Sequence, residues 1–322
     1  MIKLQHVSKS FNSIKAVNNI SFEVRQGETV VLLGTSGCGK TTTLRMINRL
    51  EKPSSGEVLV NGKNVKDQPL EALRRGIGYV LQHHGLFPHY TIEENIAIVP
   101  QLLKWHKEKT KNRVAEVMEK LQLPLTLLYQ YPDQLSGGQQ QRVGLARALA
   151  ADPPILLMDE PLGALDPVTR SAIRQDFNRV DELKQKTILL VTHDVQEAFE
   201  LADRICLMNK GEIVQIGSPS ALLFKPASPF VSSFLKEQKL QLELETITVD
   251  DVWDLLPKSA AKVNQQEIDL HNNLWQSLEI LSASTDATVT NYIINKNGEE
   301  RMIDPAIIMQ AYTSYKNRMV YG

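Results

Sequence analysis

The chain is short of cysteine, of long apolar runs and of any charge excess. Among 322 residues only Cys38 and Cys206 are cysteines. They lie far apart, and neither belongs to a CxxC or Cys/His spacing, so no structural metal site is expected from them. Sparse cysteine also suits a reducing compartment. Apolar runs such as Val30–Leu33 and Ile188–Val191 fall well short of the ~18–20 residues of a membrane span. A role at a membrane would therefore need another chain to cross it. The opening residues, MIKLQHVSKSF, lack a charged stretch followed by an apolar core, so no signal peptide is read. Lys and Arg number 36 against 37 Asp and Glu, for a net charge of -1. That balance argues against a nucleic-acid partner. A compact polyanion such as a nucleotide needs only local donors and is not excluded.

What is present is ordinary globular material. Hydrophobic residues make up 42% and charged residues 23%, close to the usual averages. The length suits about two domains of ~100–200 residues each. Residues 1–25 alternate as strands do, with Ile20, Phe22 and Val24 on one face. Thr29–Leu33 reads as a strand buried on both faces. A Gly-rich turn and a helix from Thr41 to about Leu50 follow. Val58–Val60 runs into an Asn61–Gly62 turn, and Gly78–Leu81 is a further short strand. Ile155–Met158 and Thr187–Val191 are again buried strands, separated by a helical segment near Pro167–Leu183. Alternating strands and helices imply an α/β sheet. A more charged helical block at about 87–152 looks inserted into it. Composition changes after about Leu235. In the remainder, Thr248–Asp251 and Asp304–Pro305 are helix-start signals, Thr288–Ile294 reads as a strand and Lys296–Gly298 as a turn.

The segment Gly34-Thr35-Ser36-Gly37-Cys38-Gly39-Lys40-Thr41, continued by Thr42, matches GxxxxGK[ST] between a strand and a helix, the context that motif requires. Its glycines let successive backbone N–H groups aim at phosphate oxygens, and the helix N-terminus adds free amides. Lys40 would neutralise the β and γ phosphates, and the Thr41 hydroxyl would ligate Mg²⁺. Cys38 reads as a tolerated small residue, since no base is paired with it. Downstream, the apolar strand ends in Asp159-Glu160. Asp159 is the expected Mg²⁺ partner and Glu160 the expected base for an attacking water.

Leu135-Ser136-Gly137-Gly138-Gln139-Gln140-Gln141-Arg142 closely resembles the LSGGQ signature of ABC ATPases. Ser136, Gly137 and Gly138 would open a helix and make a second anion site. The resemblance implies a RecA-like nucleotide-binding domain over 1–235, with a helical subdomain at about 87–152. It implies a head-to-tail homodimer in which Ser136–Gly138 of one subunit close over the ATP·Mg²⁺ of the other. It places Gln82 in the Q-loop near Mg²⁺ or water. Ala164-Leu165-Asp166 falls in the D-loop between dimer halves, and His193 is the switch histidine at the γ-phosphate. Phe11 would stack on adenine, or else serve as a core residue. His83, His84 and His89 cluster as loop histidines, without a metal role.

A single domain without fused membrane helices, coiled coils or a second cassette has the layout of bacterial importer subunits. Integral-membrane permease subunits and, indirectly, a solute-binding protein are then the expected partners. The expected place is peripheral, at the cytoplasmic face of the membrane. The run GLFPHYTIEENIAIVPQLLKW is similar to ATPases of osmoprotectant importers, which take up glycine betaine, carnitine or choline. An amino-acid importer is the nearest rival, and a non-transport ABC ATPase a further one. Phe87 and Tyr90 would anchor a short helix of the permease, pack the inserted helices, or do both. Residues 236–322 form either one degenerate CBS-like regulatory unit, drawn from Thr246–Leu256 and Thr288–Lys316, or a small α+β appendage that packs or dimerises the subunit.

Overall fold

The computed structural model describes residues 1–322, apart from 83–84, 164, 167–168, 171–173, 175–176, 178–179, 259–264, 284–290 and 322. The chain divides into two compact units, Met1–Ile216 and Gly217–Gly322.

The first unit contains two sheets. Strands β1 (Ile2–Phe11), β2 (Ile14–Val24), β4 (Ser55–Val60) and β5 (Lys63–Asn64) form one of them, in the order β2-β1-β4-β5. It is antiparallel throughout. As the alternation implied, Ile20, Phe22 and Val24 are all buried. The Asn61–Gly62 turn, with φ of 53° and 75°, joins β4 to β5; a two-residue link with positive φ at both positions is a preferred hairpin geometry.

The second sheet has the order β10-β9-β3-β8-β7-β6, built from β3 (Thr29–Gly34), β6 (Ile77–Val80), β7 (Ile155–Asp159), β8 (Thr187–Thr192), β9 (Arg204–Asn209) and β10 (Glu212–Gly217). The pairings β6–β7, β7–β8, β8–β3 and β3–β9 are parallel. Such strands are covered on both faces, which is why they read as continuous apolar runs rather than alternations. Every residue of β7 and β8 is buried.

Helix α1 (Lys40–Ile47) follows β3 and buries Leu44, Met46 and Ile47 in the core between the sheets. It ends before the expected Leu50. Arg49 turns into the left-handed region at φ 49°, and the Leu50 and Glu51 amides both donate back to Arg45 O. Between α2 (Leu70–Arg75) and β7 lie α3 (Ile92–Leu102), α4 (Lys107–Lys120) and α5 (Gly137–Leu149), the inserted helical block. Arg113 of α4 fastens this block to the sheet side. Its guanidinium donates to the carbonyls of Leu149 and Ala150 and pairs with Glu182, within α6 (Asp181–Lys184). The helical stretch expected near Pro167–Leu183 lies largely outside the described residues.

The second unit holds α8 (Pro219–Phe224), α9 (Pro229–Leu235), α10 (Lys239–Thr246), β11 (Gln265–Glu267), α11 (Leu274–Ala283), β12 (Asn291–Lys296), β13 (Glu299–Ile303) and α12 (Pro305–Tyr321). This compact unit starts at Gly217, ahead of the change of composition at Lys236. Leu222, Leu223, Phe224, Val231 and Leu235 are buried, and Phe224 meets Tyr315 of α12 edge-on at 6.2 Å. Composition turns polar only at Lys236, so α8 and α9 read as a continuation of the first domain although they pack with the second. Thr248 and Asp251 cap each other reciprocally, and Asp304 caps α12 through the Ile307 amide, both as the sequence indicated. Strand β12 begins at Asn291; residues 288–290 of the expected strand lie outside the described ones.

Helix α7 (Val195–Leu201) carries a buried acid, Glu197, which is 2% exposed. One carboxylate oxygen accepts the Thr192 hydroxyl, and the other has no partner among the described residues. Burial pushes its pKa up from 4.5 to about 7. The folded state therefore holds this proton more tightly than the unfolded chain does. The cost of ionising it is absent below pH 4.5 and grows as pH rises towards about 7. Glu197→Gln, which keeps an acceptor for Thr192, should stabilise the protein at pH 8 by on the order of 1 kcal/mol or more and leave it nearly unchanged at pH 4.5. Urea unfolding at the two pH values checks this; equal shifts at both would refute it.

Candidate nucleotide site

The parallel register determines where the candidate residues meet. Leu33 of β3 pairs with Thr192 of β8, Val191 of β8 with Asp159 of β7, and Met158 of β7 with Val80 of β6. The C-terminal ends of these strands are therefore neighbours. The loops leaving them carry Gly34–Lys40, His193, Asp159–Glu160 and Gln82. Ligands of open parallel sheets bind at such an edge.

The first of these loops is shaped by positions that exclude a side chain. A Cβ at Gly34 (φ 153°) would lie 2.2 Å from Met208 O, and one at Gly39 (φ 103°) 2.4 Å from Ala16 O. Only glycine fits there. Gly37, at φ 76°, meets nothing within 4 Å, and Thr35 and Ser36 are exposed. Lys40 is 5% exposed, and its ammonium donates to Gly34 O at 2.8 Å and Thr35 O at 3.0 Å. A cation is thus fixed inside a loop at the N-terminus of α1, which suits a bound phosphate. Cys38 is buried, and burial pushes its thiol up despite the neighbouring Lys40. That fits a packing residue better than a nucleophile. Thr42 is half-buried on α1, and the Thr43 hydroxyl donates to Gly39 O at 2.9 Å.

Thr41 donates its hydroxyl to Asp159 Oδ1 at 2.8 Å. Asp159 is 4% exposed; burial pushes its pKa up, opposed chiefly by the Thr41 hydrogen bond. A hydroxyl and a carboxylate at this separation are hard oxygen donors of the kind Mg²⁺ takes beside a nucleotide. The residues present fit the ion.

Glu160 leaves β7 in the left-handed region, at φ 45°, with its amide donating to Val191 O at 2.9 Å. Positive φ is uncommon for a residue with a Cβ and tends to collect at functional sites. Its carboxylate meets two of the other candidates. Gln82 Nε2 donates to Glu160 Oε2 at 2.9 Å, and His193 Nδ1 lies 3.3 Å from the same oxygen. The three residues come from three strand ends and converge on one oxygen atom. Glu160 is mostly shielded while His193 is half exposed.

Other candidates stand apart from this group. Ser136 caps α5: its hydroxyl accepts the Gln139 amide at 3.3 Å, and Gln139 Oε1 accepts the Ser136 amide at 2.9 Å. Ser136 and Gly137 are exposed, and Gly138 is buried. Among the described residues no hydrogen bond links Ser136–Gly138 to the loop at Lys40 or to Glu160. Asp166 is exposed, and its Oδ1 accepts the Thr169 amide; Ala164 lies outside the described residues. Phe11 ends β1, is 43% exposed and carries the Lys9 ammonium 4.6 Å from its ring centre. That exposure disfavours the core reading. His83 and His84 are outside the described residues, while His89 packs on Phe87 and Tyr90.

Two organising residues escaped the sequence reading. Asn95 is fully buried. Its Oδ1 accepts the Phe87 amide, and its Nδ2 donates to the carbonyls of Phe87, Tyr90 and Thr91. One side chain thereby shapes the loop that leaves Phe87 at 44% and Tyr90 at 41% exposure. Arg170 bridges Leu165 O and Asp194. An asparagine early in a helix and an arginine in a polar stretch carry no motif; only the fold shows what they join.

The ABC transporter family model matches residues 17–163. The chain is 50% identical over 268 residues to the osmoprotectant import ATP-binding protein OsmV of Salmonella typhimurium, covering 81% of this chain and 70% of that protein. It is 48% identical over 274 residues to the glycine betaine/carnitine/choline transport ATP-binding protein OpuCA of Bacillus subtilis, covering 84% and 72%. Among solved structures, the dimeric bacterial ABC transporter cassette MJ0796 superposes with a TM-score of 0.61 at 36% identity, covering 68% of this chain and 98% of that one. The same cassette has been solved in a post-hydrolysis state bound to ADP and phosphate. With the strand-end geometry and these matches in hand, the chain belongs to the ABC transporter family, as one of its ATP-binding subunits.

Proposed function

We propose that this subunit hydrolyses ATP to drive a bacterial importer of quaternary-amine osmoprotectants such as glycine betaine, carnitine or choline. The single observation that carries the catalytic part is the convergence of Gln82 and His193 on Glu160 Oε2, at 2.9 and 3.3 Å, beside the Thr41–Asp159 pair. The solute assignment rests on what OsmV and OpuCA are named for. No residue of this site reads a solute.

In this reading the Gly34–Thr42 segment holds the phosphates of ATP, with Lys40 against the β and γ groups and Phe11 on the adenine. Thr41, Asp159 and Gln82 hold Mg²⁺, which would neutralise charge on the phosphates. Glu160 accepts a proton from the attacking water, and His193 contacts the γ-phosphate. Ser136, Gly137 and Gly138 act on the ATP of a partner subunit, and Asp166 faces that partner. Their separation from Lys40 and Glu160 within one chain supports this division. A dimer of two such chains sandwiches two nucleotides. Phosphoryl transfer to water needs little covalent chemistry, so positioning and charge neutralisation carry the rate.

The exposed pair Phe87 and Tyr90, braced by Asn95, is the proposed seat for a short helix of a membrane-spanning permease. Through it the subunit would sit at the cytoplasmic face of the membrane, with a solute-binding protein acting indirectly. The order β11-α11-β12-β13-α12, with β11 parallel and β13 antiparallel to β12, supports one CBS-like unit with a regulatory role in the tail. The domain limits proposed for the nucleotide-binding part remain 1–235, and 236–322 for the accessory part.

Glu160→Gln should bind ATP, hydrolyse it about 10²–10⁴-fold more slowly and accumulate as a dimer on size exclusion with ATP. Turnover at the wild-type rate would remove Glu160 from the mechanism. The pair Phe87→Ala and Tyr90→Ala should release most of the subunit from the membrane fraction when co-expressed with its permease, read by flotation; undiminished association would place the contact elsewhere. For the solute, the expected outcome is uptake of radiolabelled glycine betaine or choline that depends on Lys40. Uptake of an amino acid alone would favour the amino-acid importer instead.

A further inference from the structure

We propose that Arg170 is a positioning residue for ATP hydrolysis, tying Leu165 to the segment 192–194 that carries His193. The proposal rests on the roles given above to Glu160 and His193. Arg170 Nη1 donates to Asp194 Oδ2 at 2.9 Å, and Nη2 donates to Leu165 O at 3.0 Å. The two acceptors lie on different segments, so a planar fork is needed to reach both; a lysine ammonium lacks that geometry. The side chains of Arg170 and Asp194 are only 23% and 20% exposed, which shields the pair from full solvent screening.

Both ends of the bridge are anchored. The Asp194 amide donates to Thr192 Oγ1 and its Oδ1 accepts the Glu197 amide, each at 3.0 Å. Asp194 therefore cannot swing to follow Arg170 without disturbing Thr192 and the start of α7. On the other side, Gly163 N donates to Glu160 O at 3.1 Å and Leu165 N to Leu162 O at 3.2 Å. The circuit closes where His193 Nδ1 approaches Glu160 Oε2 at 3.3 Å. It thus runs from Glu160 through the turn to Leu165, across Arg170 to Asp194, and back through His193 to Glu160.

This circuit has an input. Leu165 is 7% exposed, and a Cβ at Gly137 would lie 3.6 Å from its Cδ2. Gly137 belongs to the signature segment, and exposed Asp166 follows Leu165. A partner subunit pressing on this surface would shift the loop, and Arg170 would convert that shift into a change in the Glu160–His193 separation. Arg170 touches no reacting atom. Its loss should leave the Gly34–Thr42 loop, and so ATP binding, intact.

The test is a double-mutant cycle on the full-length chain with Mg·ATP, using Arg170→Ala, Asp194→Asn and the combination. Asp194→Asn keeps the cap to Glu197 while removing the charge that Arg170 pairs with. Each single change should lower kcat about 10-fold or more, because small misplacements of catalytic groups are costly, and change KM for ATP less than about twofold. The double variant should be no slower than the slower single, and Arg170→Lys should recover only part of the loss. A wild-type kcat in Arg170→Ala, losses that multiply in the double, or a rise in KM without a fall in kcat would each overturn the proposal. If Arg170→Ala fails to fold, Asp194→Asn decides alone, and a wild-type kcat there overturns it. His193→Ala and Glu160→Gln serve as controls. If those turn over normally, the reading of the site itself fails; if they are slow while Arg170→Ala is normal, only the positioning role fails.

Discussion

The register of four parallel strands is the constraint on which the rest of this unit depends. Leu33 opposite Thr192, Val191 opposite Asp159 and Met158 opposite Val80 set the strand ends level with one another. A slip of one residue in any pair would turn every side chain to the other face and would separate Glu160 from Gln82 or His193. β7 and β8 are buried on both faces, so it is the polar residues at their ends, rather than an apolar alternation, that depend on this register. The apolar runs that make the strands legible therefore also aim the polar residues at their ends.

Polar groups at this edge are held by protein partners. Lys40 is wrapped by two carbonyls of its own loop, Asp159 is bonded by Thr41 and Glu160 by Gln82. Each pairing is of the strength class of a charge-assisted hydrogen bond. Each also keeps a buried charge from standing alone, which would be costly. Electrostatic preorganisation of this kind lets a site act on a transferring phosphoryl group without rearranging at the moment of reaction.

Much of this was legible in the sequence because the chemistry is local. A Gly-rich loop with Lys40 and Thr41, a strand ending in Asp159-Glu160 and a helix opened by Ser136-Gly137-Gly138 are contiguous runs whose geometry follows from a few neighbouring residues. The inserted helices and the caps at Thr248 and Asp304 were legible for the same reason. What escaped depends on how a loop folds rather than on a motif. Asn95 matters because the loop at Phe87–Thr91 folds back onto it. Arg170 matters because the Leu165 carbonyl and Asp194, twenty-four residues further on, both accept from its guanidinium. The change of composition at Lys236 falls inside the compact unit that starts at Gly217, because α8 and α9 are as apolar as the residues before them. Composition records how much a segment buries, not what it buries against.

The arrangement also explains why the signature segment is built as it is. Ser136 spends its hydroxyl and amide on a reciprocal cap with Gln139, which fixes the start of α5 without help from the rest of the site. A helix N-terminus fixed in this way presents its remaining amides in a constant direction. Constancy is useful only if the target is carried by another element, and among the described residues no hydrogen bond ties the segment to Lys40 or Glu160. The neighbouring Leu165 gives it a route to the other half of the chemistry through packing, and Arg170 extends that route by hydrogen bonds. A donor set fixed on one element and a pinned carboxylate on another, with Leu165 packed beside Gly137, is what a site would need if closing over a partner's nucleotide is to be felt at its own.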